Sequence, residues 1–350
     1  MTTPTAVLPL ALTMGDPAGI GPEIILKAFS QAPQRMRGCC VVGDLFSMQQ
    51  HLALLGGCVD KQLTCVAVQD LQAAWSVPAH HVPVLQIDPP AKELFMGQVS
   101  ASAGRMAANA VIWAARAALK GEVSALVTAP LHKKALSLAG LAYPGHTELL
   151  QTQAAQHLGV RESDLPVRMM LTSPRLSTVL VSIHLPLRQA IEAVTTANVL
   201  QTLQITHQAW QALHGRAPRM AVAGLNPHAG EEGLFGAEER EHIAPAIALA
   251  RAQGIQVSGP FAPDTVFMHA HSPAGRQAID LVVAMYHDQG LIPVKLLGLA
   301  HGVNQTLGLP FVRTSPDHGT AFDIAGKGLA DPSSLMAAVR VARGESLVTI

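Results

Sequence analysis

Four polar clusters each close a short apolar run in this sequence: "TAPLHKK" follows "VSALV", "HLP" follows "TVLVSI", "NPHAGE" follows "AVAGL", and "HDQG" follows "VVAMY". Three of them carry His184, His228 and His287. Three neutral imidazoles with an open fourth position suit a catalytic zinc or a related divalent ion, which polarises a bound hydroxyl or carbonyl oxygen. The competing reading is three loop histidines, each hydrogen-bonded on its own, because spacings this long lack the diagnostic force of an H-E-x-x-H helix. Asp288, next to His287, is either an orienter of that imidazole or a general base. Gln289 has no assignable role.

Other stretches suit anion binding. In "YPGHTELL" the spacing predicts a helix from Glu148 capped by Thr147, which puts His146 and Thr147 at a helix N-terminus, where free backbone N–H groups favour an anion. A cap with no ligand is the alternative. Lys295, Asn304 and Arg313 interrupt apolar surroundings ("IPVKLLG", "HGVNQTLG", "PFVRTSP"). They read either as holders of a phosphate or carboxylate or as cations snorkelling to the surface. "SPDHGTAFDIAGKG" reads as a shaped loop whose acidic groups could accept hydrogen bonds from a ribose. "GDPAGIGPEIILKA" is a glycine-rich strand-to-helix turn with Pro22 suited to the helix's first turn. It fits neither G-x-G-x-x-G nor a Walker loop.

These clusters need a scaffold that brings them to one edge. Short β-branched or apolar runs alternate with Ala-rich helical segments, the pattern of parallel βαβ units, so the clusters fall at the carboxyl ends of strands where ligands bind in open α/β sheets. Predicted helices cover 100–120, 147–158, 187–214 and 237–253. The 350 residues are 49% hydrophobic and 14% charged, a composition that buries a core. Lys plus Arg equals Asp plus Glu at 24 each, with no basic block, which argues against nucleic acid or an anionic membrane as partner. The four cysteines form no C-x-x-C pair, and no apolar run approaches membrane-spanning length. A cytoplasmic protein is the expectation.

In order, "LTMGDPAGIGPEI", "TAPLHK", "GHTELL", "HLPL", "NPHAGE", "GPFAPDTVF", "MYHDQGLIPVK" and "GVNQTLGLPFVRTSPDHGTAFDIAGKG" resemble the 4-hydroxythreonine-4-phosphate dehydrogenase family of pyridoxal phosphate biosynthesis over nearly the whole chain. Each motif is short; together they are specific. The segment "EGLFGAEE" departs from the family form but spares His228. The first and last motifs are also similar to those of isocitrate and isopropylmalate dehydrogenases. The resemblance implies a two-lobed α/β fold with largely parallel sheets and an active site in the inter-lobe cleft. Residues 1–130 with 300–350 would form a first lobe carrying the cofactor loop; residues 131–299 would form a second with the metal-ligand strands and the dimer interface.

For the site, the resemblance implies that His184, His228 and His287 bind one divalent ion (zinc, magnesium or cobalt), shared between the subunits of a homodimer. His146, Thr147, Lys295, Asn304 and Arg313 would contact the phosphorylated substrate, with Lys295 and Asp288 in the chemistry. The looser likeness to the isocitrate dehydrogenases points to His318, Gly319 and Asp323 for NAD(P). The implied reaction is oxidation of 4-phosphooxy-L-threonine to 2-amino-3-oxo-4-phosphooxybutanoate, then decarboxylation to 3-amino-2-oxopropyl phosphate. One alternative is a paralogue acting on another phosphorylated hydroxy acid, such as 4-phosphoerythronate or 4-phosphothreonate. Another is a non-redox metal-binding protein or acyl-phosphate transferase, against which the retained late glycine-rich loop argues.

Overall fold

The computed structural model describes residues 7–143, 145–272, 278–298, 300–345 and 347. They divide into two compact units, one running to residue 165 and including 309–345, the other spanning 166–308.

The first unit carries strands β1 (Leu10–Thr13), β2 (Cys39–Gly43), β3 (Thr64–Val68), β4 (His81–Gln86), β5 (Ala125–Thr128) and β12 (Arg313–Pro316). Their order is β3-β4-β2-β1-β5-β12, with every pairing parallel. Strands β1, β2 and β5 are buried along their whole length, which is why they read as unbroken apolar runs rather than alternating ones. Its helices are α1 (Gly21–Gln31), α2 (Pro33–Met36), α3 (Leu45–Leu55), α4 (Ala101–Leu119), α5 (Lys133–Leu138), α6 (His146–Leu158) and, after the second unit, α12 (Ser333–Ala342).

The second unit carries β6 (Arg168–Thr172), β7 (Ser177–Leu180), β8 (Met220–Ala223), β9 (Val257–Phe261), β10 (Leu281–Ala284) and β11 (Val303–Leu307). Here the order is β11-β6-β7-β10-β8-β9; β7, β10, β8 and β9 run parallel, and β6 is antiparallel to both of its neighbours. Helices α7 (Leu187–Glu192), α8 (Thr196–His214), α9 (Ala244–Ala252), α10 (Val266–His271) and α11 (His287–Leu296) complete it. The apolar faces of β7, β8 and β10 pack on α8 and α9 through Val179, Leu203, Val222, Ile247 and Val283.

Both boundaries fall later than the sequence suggested. Residues 131–165 go with the first unit because α6 buries Leu149 and Leu150 among the alanines of α4, and because Gly104 lets α4 approach the Ala135 carbonyl of α5 where a side chain would collide. Residues 303–307 stay with the second unit because β11 pairs with β6. The single helix expected over 187–214 is two, since Thr195 leaves helical geometry and its hydroxyl accepts the Asn198 N–H at 3.2 Å, starting a new helix. Among the described residues no helix is long and apolar enough to cross a membrane.

Candidate functional site

Strands β7, β10 and β8 are consecutive parallel neighbours, so their carboxyl ends share one edge. His184 follows β7, His287 opens α11 just after β10, and His228 follows β8. The rings of His184 and His287 lie 5.7 Å apart, centroid to centroid. Both line a cleft of about 470 Å³, with Ser182, Leu187, Tyr286 and Ile292 among its walls. His184 adopts φ 42°, a left-handed conformation costly for a residue with a Cβ. The His287 Nδ1–H donates to Asp288 Oδ1 at 2.7 Å. A carboxylate on Nδ1 orients the ring and favours the neutral tautomer whose Nε2 carries the lone pair, an arrangement common in metal-binding histidines.

Two imidazoles therefore suit a divalent ion. His228 does not join them: its ring lies 5.9 Å from that of Phe235, and among the described residues of one chain no three His, Cys, Asp or Glu side chains gather closely enough to hold a metal.

The start of α11 is held by two residues whose roles spacing could not reveal. Gln289 accepts the Met285 N–H at 2.7 Å through Oε1 and donates to the Gly224 carbonyl at 2.8 Å through Nε2, tying the end of β10 to the end of β8. Gly290 is helical, and a Cβ there would meet Leu180 Cδ2 at 2.5 Å and Ala284 Cβ at 3.0 Å, so the glycine serves close packing of α11 on the sheet. His228 sits in a left-handed run from His228 to Glu232. The residues just before this run are anchored by Glu239. This carboxylate, 5% exposed, accepts the Leu225 and Asn226 N–H groups at 2.7 Å each and the Asn226 side-chain amide at 2.9 Å.

In the first unit, α6 begins at His146 with Gly145 as its cap, its extended backbone (φ −179°) taking the position expected of Thr147; Thr147 instead lies in the first turn. His146 and Thr147 remain at a helix N-terminus. Burial, the nearby Arg313 charge and, in the opposite sense, a hydrogen bond to the Ala129 backbone hold His146 well below the usual imidazole range. It is thus neutral, and its Nε2 is buried with no hydrogen-bond partner in the described structure. Arg313 is no surface cation: it is 4% exposed. Its guanidinium donates to Thr128 Oγ1 at 2.7 Å. Burial lowers its pKa to about 10 against the opposing pull of Glu148. A buried guanidinium beside a neutral imidazole and a helix N-terminus suits an anion. Of the remaining expected substrate residues, Lys295 is exposed on α11 and Asn304 is half-buried on β11, both in the second unit.

His318, Gly319 and Asp323 lie in an irregular loop following β12. Asp323 and Gly319 are exposed, and a Cβ on Gly319 would meet nothing within 4 Å. That open backbone and free carboxylate fit a dinucleotide's ribose and phosphates. The loop adjoins the "GDPAGIG" turn, where the Thr320 carbonyl accepts the Ile20 N–H at 3.0 Å, and Phe322 stacks on His132 with centroids 4.9 Å apart. Asp16 in that turn is fully buried; one oxygen accepts the Ala18 N–H at 3.0 Å, and burial raises its pKa to about 6.

Comparison with known proteins follows the same lines. The sequence model of the family described as pyridoxal phosphate biosynthetic protein PdxA matches residues 35–342. A 4-hydroxythreonine-4-phosphate dehydrogenase of Beijerinckia indica is 48% identical, covering 93% of this chain and 92% of its own. A D-threonate 4-phosphate dehydrogenase of Salmonella typhimurium is 44% identical, covering 95% and 97%. The crystal structure of 4-hydroxythreonine-4-phosphate dehydrogenase from Klebsiella pneumoniae superposes with a TM-score of 0.83 at 40% identity, covering 96% of this chain and 98% of that one.

Proposed function

Since the chain belongs to the PdxA family of pyridoxal phosphate biosynthetic proteins, we propose that it is an NAD(P)-dependent dehydrogenase acting on 4-phosphooxy-L-threonine. The C3–H leaves as hydride to the nicotinamide and the hydroxyl proton leaves to solvent or base, giving 2-amino-3-oxo-4-phosphooxybutanoate. This β-keto acid loses carbon dioxide to give 3-amino-2-oxopropyl phosphate. The observation that carries the reading is the His184–His287 pair at the carboxyl edge of adjacent strands, with Asp288 orienting His287.

His184, His228 and His287 would hold a divalent ion, which would supply a Lewis acid for the reacting oxygens. Asp288 holds the His287 tautomer that keeps Nε2 free. Lys295 places an ammonium against the negative charge that develops as carbon dioxide departs. Arg313, His146 and Thr147 bind an anionic group of the substrate, and Asn304 contacts it as well. Binding of the unreactive phosphate fixes the carbinol carbon against the nicotinamide.

The site is completed by a second copy of the chain, which brings His228 to the His184–His287 pair of its partner. Support comes from apolar side chains lining the cleft: Leu185 and Leu187 are 46% and 58% exposed, and Ile292 on α11 is 62% exposed. Apolar side chains this exposed around one cleft suit a homodimer contact.

A second reading is favoured by the 44% identity to the D-threonate 4-phosphate enzyme, whose named substrate has a hydroxyl where phosphooxythreonine has an amine. Parallel assays of NAD(P)H formation with the two substrates separate them. Turnover of 4-phosphooxy-L-threonine with the higher kcat/KM supports the first reading; turnover of D-threonate 4-phosphate alone replaces it with the second.

A further inference from the structure

Helix α1 is buried from Gly21 through Phe29, leaving no solvent face over its first two turns, yet it carries Glu23 and Lys27. These are four residues apart, hence on one face. Lys27 Nζ lies 3.0 Å from Glu23 Oε1, and the two side chains are 8% and 0% exposed. An ion pair in such surroundings is no stabiliser by itself, since apolar residues of similar volume do as well or better. What it supplies is direction. The Lys27 ammonium donates to the Gly328 carbonyl at 2.8 Å and the Ala330 carbonyl at 2.6 Å. Glu23 Oε1 accepts the Ala330 N–H at 2.8 Å. All of these loop partners are backbone atoms at the far end of the segment running from His318 to Ala330.

That segment contains no helix or strand, so no ladder of its own sets its shape. Its near end is pinned from the turn before α1: Ile20 N–H reaches the Thr320 carbonyl, and Gly19 is required there because a Cβ would meet that oxygen at 2.9 Å. Between these two anchors residues 321–327 form successive turns, the Ile324 N–H on the Ala321 carbonyl and the Lys327 N–H on the Ile324 carbonyl, each at 3.1 Å, and Asp323 is exposed.

We propose that Lys27 and Glu23 are positioning residues that hold the 318–330 loop in the shape needed to receive the nicotinamide dinucleotide, an inference that rests on the reading of this loop as cofactor-binding. Lys27 is held by the Glu23 carboxylate and gives two protons to loop carbonyls, so its part is to shape the loop and not to transfer protons. Preorganisation of this kind acts on affinity for the group the loop binds and leaves other ligands untouched.

The test uses the full-length protein with Lys27→Met, and with Glu23→Gln/Lys27→Met in case one unpaired buried carboxylate prevents folding. Amide hydrogen exchange without cofactor should accelerate across 319–330 and stay unchanged in β7, β8 and β10. Calorimetric titration should show NAD(P)+ affinity weakened about tenfold, while the substrate KM moves by less than about twofold. A folded variant with unaltered loop exchange and NAD(P)+ affinity overturns the proposal, as does a substrate KM that rises in step with the cofactor's. Asp323→Ala separates the two levels. If it weakens NAD(P)+ binding and Lys27→Met does not, the positioning role is wrong; if it leaves NAD(P)+ binding unchanged, the cofactor reading of the loop fails, and with it the proposal's premise.

Discussion

Replacing Arg313 with methionine should make the unliganded protein more stable and the enzyme almost inert. The guanidinium is 4% exposed, and its pKa is lowered from the ordinary 12.5 to about 10. At roughly 1.4 kcal/mol per pH unit, keeping the charge in the folded protein costs on the order of 3 kcal/mol. Methionine fills most of the same volume without charge. It forfeits the bond to Thr128 Oγ1, about 1 kcal/mol, and a further interaction of the guanidinium. The net expectation is a gain of roughly 1 kcal/mol, seen as a higher denaturant midpoint at unchanged slope. If Arg313 holds an anionic group of the substrate as proposed, binding recovers that cost, and saturating substrate at about a hundred times Kd should add roughly 2.7 kcal/mol of stability. Arg313→Met should lose that response, and its substrate KM should rise about a hundredfold, matching the loss of a charged pair worth about 3 kcal/mol. A variant less stable than wild type, or one that substrate still stabilises fully, would refute the assignment of Arg313 as a buried charge held for the ligand.

Asp16→Asn tests the buried carboxyl in the first turn. Its folded pKa of about 6 lies above the ordinary 3.8, so its contribution to stability is present below about pH 4 and lost as pH rises through 6; the variant should match wild type near pH 4 and exceed it by on the order of 3 kcal/mol at pH 7.5, and a pH-independent difference in denaturant midpoints would contradict this. Gly290→Ala should destabilise by about 1–3 kcal/mol, because the added Cβ collides with Leu180 and Ala284; an unchanged melting curve would show that α11 can shift. His287→Ala should leave a folded protein by circular dichroism and abolish metal-stimulated NAD(P)H formation, whereas near-normal stimulation would remove His287 from the ligand set.

Much of the scaffold was legible because buried parallel strands announce themselves as β-branched apolar runs, and the polar clusters after β5, β7, β8 and β10 mark their carboxyl ends. That logic placed His184, His228 and His287 after three adjacent strands. It could not bring them together, because strand order and turn geometry are settled by packing: the chain leading into the left-handed run at His228 is anchored by Glu239, whose carboxylate accepts three hydrogen bonds from residues 225 and 226. Arg313 was ambiguous because snorkelling and burial give the same local sequence, and only its contact with Thr128 in the paired strand β5 decides. Gln289, Glu23 and Lys27 were missed for a common reason. Beside local partners, Met285 for Gln289 and the i,i+4 pair Glu23–Lys27, each reaches a backbone atom distant in sequence, at Gly224, Gly328 or Ala330, which no local pattern reveals. The unit boundaries were misplaced because α6 is claimed by the alanine face of α4, a preference visible only once the helices are packed.

The central claim is that this chain oxidises a phosphorylated hydroxy amino acid with the help of a divalent ion at the histidine edge. The direct measurement is NAD(P)H formation from 4-phosphooxy-L-threonine by protein dialysed against a chelator, before and after zinc, magnesium or cobalt is restored. Reduced nicotinamide should form only when the ion is returned. Full turnover in the chelated protein, or none in the reloaded protein, would contradict the account.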